Sequence, residues 1–274
     1  RTSASQADSA GSIPVTRSIP HRSGAAQHAG YAARRDSPGP YTRGMLERLE
    51  APISLTSNAD KVKALGMDEG GEQLLTLMRD RCGLDSLAGL DILDVGCGVR
   101  FTQAIINRRI PIGTYTGIDV WREVIDFLST QVEPSDERFS YAHWDARNAM
   151  YNDSGSIALA EADLPFSGPF DLICMFSVVT HLDSDDAGAM FRLLRPHVRP
   201  DGHLFFSAFV GEGVDRYEDR SPAGNPPLSW AFYDLDFLSS LVTSAGWEIE
   251  SIHEPLDPII QTHFVCRPGE GALN

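Results

Sequence analysis

The sequence has 274 residues, of which 42% are hydrophobic and 22% are charged, and this balance excludes a disordered or collagen-like chain. Its longest apolar run, Leu172 to Val179, is eight residues with a serine inside it, well short of the roughly 20 residues of a membrane-spanning helix. We therefore predict a soluble protein, and four widely spaced cysteines favour reduced thiols in the cytoplasm. The net charge of −15 counts against nucleic acid or membrane as the main partner, since an acidic surface repels both.

The N-terminal region differs in composition from the rest of the chain. Residues 1–44 hold six Arg and only two Asp, which leaves a net charge of −19 for the remainder. We predict a disordered leader over 1–40, in preference to an organellar transit peptide, because its prolines prevent an amphipathic helix. A helical cap is expected over 41–67, with short helices at 41–50 and 57–65, and a C-terminal tail over 268–274.

From residue 68 onwards, helical patterns alternate with short β-rich runs, as in a parallel sheet with helical crossovers. A helix is predicted from Asp68 to a C-terminal Gly83, and another from an N-capping Asp234 towards Gly246. Further helices are predicted at 101–109, 121–131 and 185–195, and strands at 91–95, 115–120, 139–144, 171–176, 203–210, 247–252 and 261–267. One domain over 68–267 therefore accounts for most of the chain.

The most informative segment is DILDVGCGVRF, residues 91–101, where a strand ends in Asp94 and a glycine turn leads into a helix. Ligands of open α/β sheets bind at such a turn, because glycine lets the backbone approach them closely. A dinucleotide fingerprint requires a third glycine where this chain has Phe101. A carboxylate before the turn also favours a cofactor with a cationic end over a pyrophosphate.

Two more acids occur at nearly equal spacing after the next two strands. Asp119 ends the second strand, where a carboxylate can accept both hydroxyls of a ribose. Asp145 follows the third strand, where a carboxylate can accept from an exocyclic amine such as that of adenine. Three neighbouring strands that each end in an acid are far more specific than any one of them.

With these residues, the chain resembles the class I S-adenosylmethionine-dependent methyltransferases of the small-molecule branch. The resemblance runs from about residue 68 to 267 and includes the Asp94-Val-Gly96-Cys-Gly98 motif and the later acids. It implies an α/β Rossmann-like sheet of seven strands in the order 3-2-1-4-5-7-6, with the last strand antiparallel and helices on both faces. It also implies S-adenosylmethionine as cofactor and S-adenosylhomocysteine as product.

The resemblance assigns cofactor contacts to residues after the first four strands. These are Asp94, Gly96, Cys97, Gly98, Asp119, Val120, Asp145, Ala146, Phe176 and Ser177. The third glycine of the family motif is replaced by Arg100. Three interpretations are open for it: it faces an anionic group on the acceptor, it pairs with Asp94, or it is a surface arginine at a helix start.

Candidate acceptor contacts come from Arg100 and from insertions that can cover the site. Tyr151 and Asn152 lie between the third and fourth strands, and Tyr217 lies in a Gly/Pro-rich loop, 211–228, that we interpret as a lid. His181, just after the fourth strand, is the candidate general base. The four cysteines lack metal-ligand spacing, so we predict neither a metal site nor disulfides.

Three functions are consistent with this pattern. The leading hypothesis is an enzyme that transfers a methyl group to an oxygen or nitrogen of a small molecule. The alternatives are an NAD(P)-dependent reductase on a Rossmann-like fold and a non-catalytic cofactor-binding domain, since the fold alone does not fix the function. The sequence does not identify the acceptor or the oligomeric state.

Overall fold

A computed structural model describes residues 45–56, 65–255 and 260–270. The leader predicted for 1–40, nearly all of the helix predicted for 57–65 and the end of the tail predicted for 268–274 lie outside these residues. The described residues form nine strands and five α-helices. In chain order they are α1 (Met67–Arg81), β1 (Asp91–Val95), α2 (Arg100–Asn107), β2 (Thr114–Asp119), α3 (Arg122–Gln131), β3 (Phe139–His143), β4 (Phe170–Met175), α4 (Ser184–Leu194), β5 (Val198–Val210), β6 (Tyr217–Asp219), β7 (Ala231–Tyr233), α5 (Leu235–Ser244), β8 (Trp247–His253) and β9 (Thr262–Pro268).

The main sheet has the order β3-β2-β1-β4-β5-β9-β8. Strands β1 to β5 are parallel to one another, and β9 runs antiparallel between β5 and β8. With β8 and β9 counted as the sixth and seventh strands, this is the predicted order with its antiparallel strand, and the prediction is confirmed. Because β1 pairs with both β2 and β4, the chain reverses its direction of winding beside the glycine turn, where α/β sheets bind ligands.

Of the two additional strands, β6 lies inside the loop predicted over 211–228, and β7 lies between that loop and α5. Strand β7 pairs with the end of β5, Phe209 lying opposite Phe232, and β6 returns antiparallel along β7. The predicted lid is thus a small hairpin fixed to the sheet, and we call residues 211–233 the flap. Three-residue strands are too short for a periodic pattern to show, which is why the sequence did not reveal them.

Two hydrophobic cores cover the two faces of the sheet because side chains alternate along each strand. In β1, Ile92 faces the core built with α1, α2 and α3, whereas Leu93 faces the core built with α4 and α5. The helix boundaries follow from local chemistry: the side chains of Asp183 and Asp234 accept backbone N–H groups at the starts of α4 and α5. Among the described helices, none combines the length and the apolar character needed to cross a bilayer.

The helix predicted over 41–50 is not present in its described part, residues 45–50. Side chains of α2 take the backbone groups that a helix would use: Leu49 N donates to Asn107 Oδ1 at 2.8 Å, and Ala51 N donates to Gln103 Oε1 at 2.7 Å. The Asn107 amide also donates to the Leu49 carbonyl at 2.8 Å. This segment is therefore held against α2 by tertiary hydrogen bonds, which local periodicity does not encode.

Candidate cofactor and acceptor site

The glycine turn after β1 is closely packed at Gly96 and open at Gly98. Gly96 and Gly98 have φ values of +70° and +49°, a region that favours glycine. A Cβ on Gly96 would lie 2.6 Å from a Val178 methyl, whereas one on Gly98 would meet no atom of the described residues within 4 Å. The amides of Gly96 and Cys97 donate to the Ile118 carbonyl, at 2.8 and 3.1 Å, which fixes the turn to β2. The open side at Gly98 is where a ligand can approach the backbone.

Asp119 joins this turn to the end of β2. One carboxylate oxygen accepts from Gly98 N and the other from Trp121 N, each at 2.9 Å. Burial raises the pKa of Asp119, and the two backbone hydrogen bonds oppose that rise by favouring the charged form. Each oxygen keeps a further lone pair, so the geometry is compatible with the predicted ribose contact.

Asp94 faces the interior beneath the turn. It is 2% exposed, and its oxygens accept from the Tyr115 hydroxyl and the Cys174 thiol. Burial raises the pKa of Asp94 to about 7, although both hydrogen bonds lower it. A direct bond from this carboxylate to an ammonium group is therefore disfavoured in this conformation. The predicted pairing with Arg100 is wrong, because Tyr115 and Cys174 occupy the carboxylate.

Arg100 begins α2, and its aliphatic stem lies against α1, where a Cβ on Gly71 would be 3.2 Å from the Arg100 Cγ. Burial lowers the pKa of Arg100. Within the described residues it makes no ion pair. Its predicted contact with an anionic group stays a prediction.

Asp145 follows β3 and is bonded within its own loop. Its oxygens accept from the Ser156 hydroxyl at 2.5 Å and from the Asn152 amide at 3.2 Å, and these hydrogen bonds lower the pKa of Asp145. The Asn152 amide also donates to the Ala146 carbonyl at 3.1 Å. The Asn152 amide therefore closes this loop, and the predicted contact of Asn152 with an acceptor stays a prediction. The adenine contact of Asp145 stays a prediction.

Three rings form what we call the aromatic wall: Trp121, Tyr151 and His181. Trp121 stacks on Tyr151 with ring centres 6.4 Å apart, and Tyr151 meets His181 edge to face at 5.4 Å. The wall runs from the end of β2 to the end of β4, and it brings two predicted site residues together. The sequence did not predict Trp121 to lie beside these residues, although its place two residues after Asp119 was an available signal.

His181 has a defined hydrogen bond on one ring nitrogen. Its Nδ1 lies 3.0 Å from the Leu228 carbonyl of the flap. A carbonyl can only accept, so Nδ1 carries the proton and Nε2 of the neutral ring keeps its lone pair. Burial lowers the pKa of His181, and backbone hydrogen bonding at Leu228 and Ser229 opposes that change. The ring is thus a neutral base at physiological pH.

The end of β4 carries a strained residue. Ser177 has φ of +57°, its N–H donates to the Ser207 hydroxyl at 2.8 Å, and its own hydroxyl bonds the amide of Gln261. Strain of this kind is commonly retained at functional sites. Gln261 was not predicted, because only the antiparallel pairing of β9 with β5 brings residues 84 positions apart into contact.

The other predicted residues take mainly structural positions. The Phe176 ring packs against Phe101 and Phe205, with centres 5.1 and 4.9 Å apart. The Tyr217 ring packs on Tyr233 at 5.4 Å, and burial raises its pKa to about 12. The side chains of Cys97 and Ala146 are buried, and the Val120 carbonyl lies 3.1 Å from His143 Nε2. An acceptor contact for Tyr217 is thus disfavoured by its packing; the remaining cofactor contacts stay predictions.

The sequence matches the family described as "Methyltransferase domain" over residues 59–252. The chain belongs to this methyltransferase domain family. The match confirms the resemblance that the motifs indicate. A curated relative of the methyltransferase domain is the malonyl-[acyl-carrier protein] O-methyltransferase of Acetivibrio thermocellus, 27% identical over 165 residues. The aligned region is 60% of this chain and 51% of the relative, so the chain spans about half the length of the curated relative that it matches.

Solved structures share the fold of the methyltransferase domain. One is Burkholderia thailandensis 1,6-didemethyltoxoflavin-N1-methyltransferase with bound 1,6-didemethyltoxoflavin and S-adenosylhomocysteine, at a TM-score of 0.54 and 14% identity, covering 81% of this chain and 94% of that one. Another is the glycopeptide N-methyltransferase MtfA complexed with S-adenosylmethionine, at a TM-score of 0.51 and 10% identity, covering 73% and 93%. At these identities the likeness establishes the fold.

Proposed function

We propose that this methyltransferase domain transfers a methyl group from S-adenosylmethionine to an oxygen or nitrogen atom of a small-molecule acceptor, releasing S-adenosylhomocysteine. The observation that carries the proposal is the turn around Gly98, open on one side and bonded through its amide to the carboxylate of Asp119. That arrangement offers ribose acceptors beside a backbone that a cofactor can approach. Four unpaired, buried cysteines support a reducing, cytoplasmic setting.

The residues present fit this cofactor better than a dinucleotide. S-adenosylmethionine supplies an activated methyl group on a cationic sulfur. Asp119 would hold the ribose, and Trp121 borders the same strand end with an apolar ring. The acids below and beside the turn, Asp94 and Asp119, disfavour the two negative charges of a pyrophosphate.

His181 is the proposed general base. Its Nε2 would accept the proton that an acceptor hydroxyl, or a neutral amine, loses as its oxygen or nitrogen takes the methyl group, while Nδ1 stays bonded to the Leu228 carbonyl. The aromatic wall would exclude water from one side of the acceptor. The domain would also hold the acceptor atom in line with the methyl group.

Calorimetric titration and a turnover assay test the proposal together. In the titration, S-adenosylhomocysteine is expected to bind. In the turnover assay, S-adenosylhomocysteine is expected to accumulate when S-adenosylmethionine is supplied together with an extract of small metabolites. Binding of NAD(P)H without binding of S-adenosylmethionine would favour the reductase and overturn the proposal. Binding without turnover, for both free and carrier-protein-linked acceptors, would favour a non-catalytic domain.

The base is tested separately by His181→Asn, which keeps a polar side chain without a titratable ring. Because general bases contribute about 10²- to 10⁴-fold, kcat is expected to fall by about 100-fold with little change in cofactor affinity. Burial lowers the pKa of His181, so the ring should remain neutral at pH 6.5, where half of ordinary histidine side chains are protonated. The wild-type rate should therefore persist at pH 6.5 and decrease only at a lower pH, where the ring gains a proton. An unchanged kcat in His181→Asn would contradict the assignment of this base.

A further inference from the structure

The flap contains a strained leucine whose carbonyl faces His181. Leu228 has φ of +59°, a left-handed conformation that is strained for a residue other than glycine. Its carbonyl oxygen is the atom 3.0 Å from His181 Nδ1. A strained backbone conformation persists only where neighbouring groups hold it, and such conformations are common at functional sites.

The group that holds Leu228 is the carboxylate of Asp219, the last residue of β6. One oxygen of Asp219 accepts the Leu228 N–H at 3.0 Å. The other accepts from the N–H and the hydroxyl of Ser221, the former at 2.9 Å. The Ser221 hydroxyl in turn accepts from Ser229 N at 2.8 Å. These bonds outweigh burial and lower the pKa of Asp219, so the carboxylate is charged when it holds the turn.

We propose that Asp219 is a positioning residue for His181: by holding Leu228 in its left-handed conformation, it aims the Leu228 carbonyl at Nδ1 and so keeps the lone pair on Nε2. This inference rests on the proposed role of His181 as base. Asp219 does not reach His181 itself; its effect passes through one backbone unit. Without that carbonyl, a neutral imidazole is free to carry its proton on Nε2, where it cannot accept one from the acceptor.

The other groups around His181 do not fix its tautomer. Tyr151 meets the ring edge to face, and Asn148 donates to the His181 backbone carbonyl at 2.9 Å. On the flap side, backbone hydrogen bonding at both Leu228 and Ser229 raises the pKa of His181, and in the described structure no charged side chain contributes to its pKa shift. Among the described residues, the Leu228 carbonyl is the group within hydrogen-bond distance of Nδ1, and it favours the proton on that nitrogen.

The test is the tautomer of His181 measured by ¹⁵N nuclear magnetic resonance, with the signal assigned by its absence in His181→Asn. The wild-type full chain is compared with the test variant Asp219→Ala and with the control variant Glu212→Gln. Glu212 is an exposed residue of the flap whose carboxylate makes no hydrogen bond or ion pair within the described residues. In the wild type and the control, Nδ1 is expected to carry the proton. In Asp219→Ala, the ratio of the two tautomers is expected to shift by roughly tenfold, the factor expected when one hydrogen bond is lost.

A rescue variant separates positioning from general damage to the flap. Glycine adopts φ of +59° without strain, so Asp219→Ala/Leu228→Gly is expected to restore much of the wild-type tautomer ratio and of kcat. The KM for S-adenosylmethionine should be unchanged in all of these variants. An unaltered tautomer in a folded Asp219→Ala protein, or no recovery in the double variant, overturns the inference. If the tautomer shifts as expected while His181→Asn keeps full activity, the positioning stands and the proposed base fails.

Discussion

Replacing Asp119 by alanine removes the carboxylate that joins the glycine turn to β2 and that, in the proposed complex, holds the ribose. The side chain is 9% exposed, and each oxygen already accepts one backbone amide at 2.9 Å. Two charge-assisted bonds to a ribose would contribute about 1.5 kcal/mol each at the low end of their range. Their loss weakens binding by about 100-fold, since about 1.4 kcal/mol corresponds to a factor of ten.

Asp119→Asn is the graded version of this change. The amide oxygen can still accept one hydrogen bond, but the charge is lost and the NH₂ group faces a backbone donor, so we expect a loss of about tenfold. Asp126→Asn, on an exposed position of the following helix α3, is the matched control and should bind normally. The dissociation constant of S-adenosylhomocysteine is measured for each variant and for the wild type by isothermal titration calorimetry.

Protein stability should change less than affinity in these variants. Burial raises the pKa of Asp119, so removing its charge recovers part of the free energy that the lost hydrogen bonds contributed. Urea denaturation of the free protein measures this contribution. An Asp119→Ala protein that is folded and binds with the wild-type dissociation constant would refute the ribose assignment.

Three further predictions concern the fold that supports the site. Burial lowers the pKa of His203 to about 4, so below pH 6.5 the unfolded chain binds more protons than the folded protein and the free energy of unfolding decreases as the pH falls. His203→Gln should remove about 1.5 kcal/mol of that decrease between pH 6.5 and 5, and identical urea denaturation of the two proteins over this range would contradict this. Tyr115→Phe removes the hydroxyl bonded to the buried carboxylate at the end of β1 and should lower the unfolding free energy by about 1–3 kcal/mol, whereas an unchanged denaturation midpoint would argue against that bond. Gly96→Ala should lower the melting temperature and the cofactor affinity, because the new Cβ would lie 2.6 Å from a Val178 methyl and alanine is strained at φ of +70°. Adding Val178→Ala removes the steric clash only, so it should restore part of the stability; full recovery would show that the backbone angle costs nothing.

The sequence predicted the elements that depend on local chemistry. The strand predicted at 91–95 has those bounds in the structure, and the other main strands agree within a few residues, apart from the earlier start of β5. The capping role of Asp234 is also confirmed, since its side chain accepts Phe237 N at 2.8 Å. Hydrophobic period, caps and glycine turns act over a few residues, so they are legible without the fold.

Placement of side chains across the sheet was not legible in the same way. The motif put Asp94 before the turn, but the partners that turn its carboxylate inward, Tyr115 and Cys174, belong to the strands on either side. The helix predicted over 41–50 failed for the same reason, since Asn107 and Gln103 of a distant helix bind the backbone of that segment. In each case a contact distant in sequence outweighs the local pattern.

By itself, the sequence determined the fold class, the order of the seven main strands and the ends of the strands at which three acids stand. These properties follow from short-range patterns and from the resemblance that those patterns carry. The tertiary structure alone decided that His181 meets the Leu228 carbonyl, 47 residues away, and that Asp219 holds the turn that carries it. Such pairs depend on how strands β5 to β7 fold back over the end of β4, and no periodicity in the chain records that geometry.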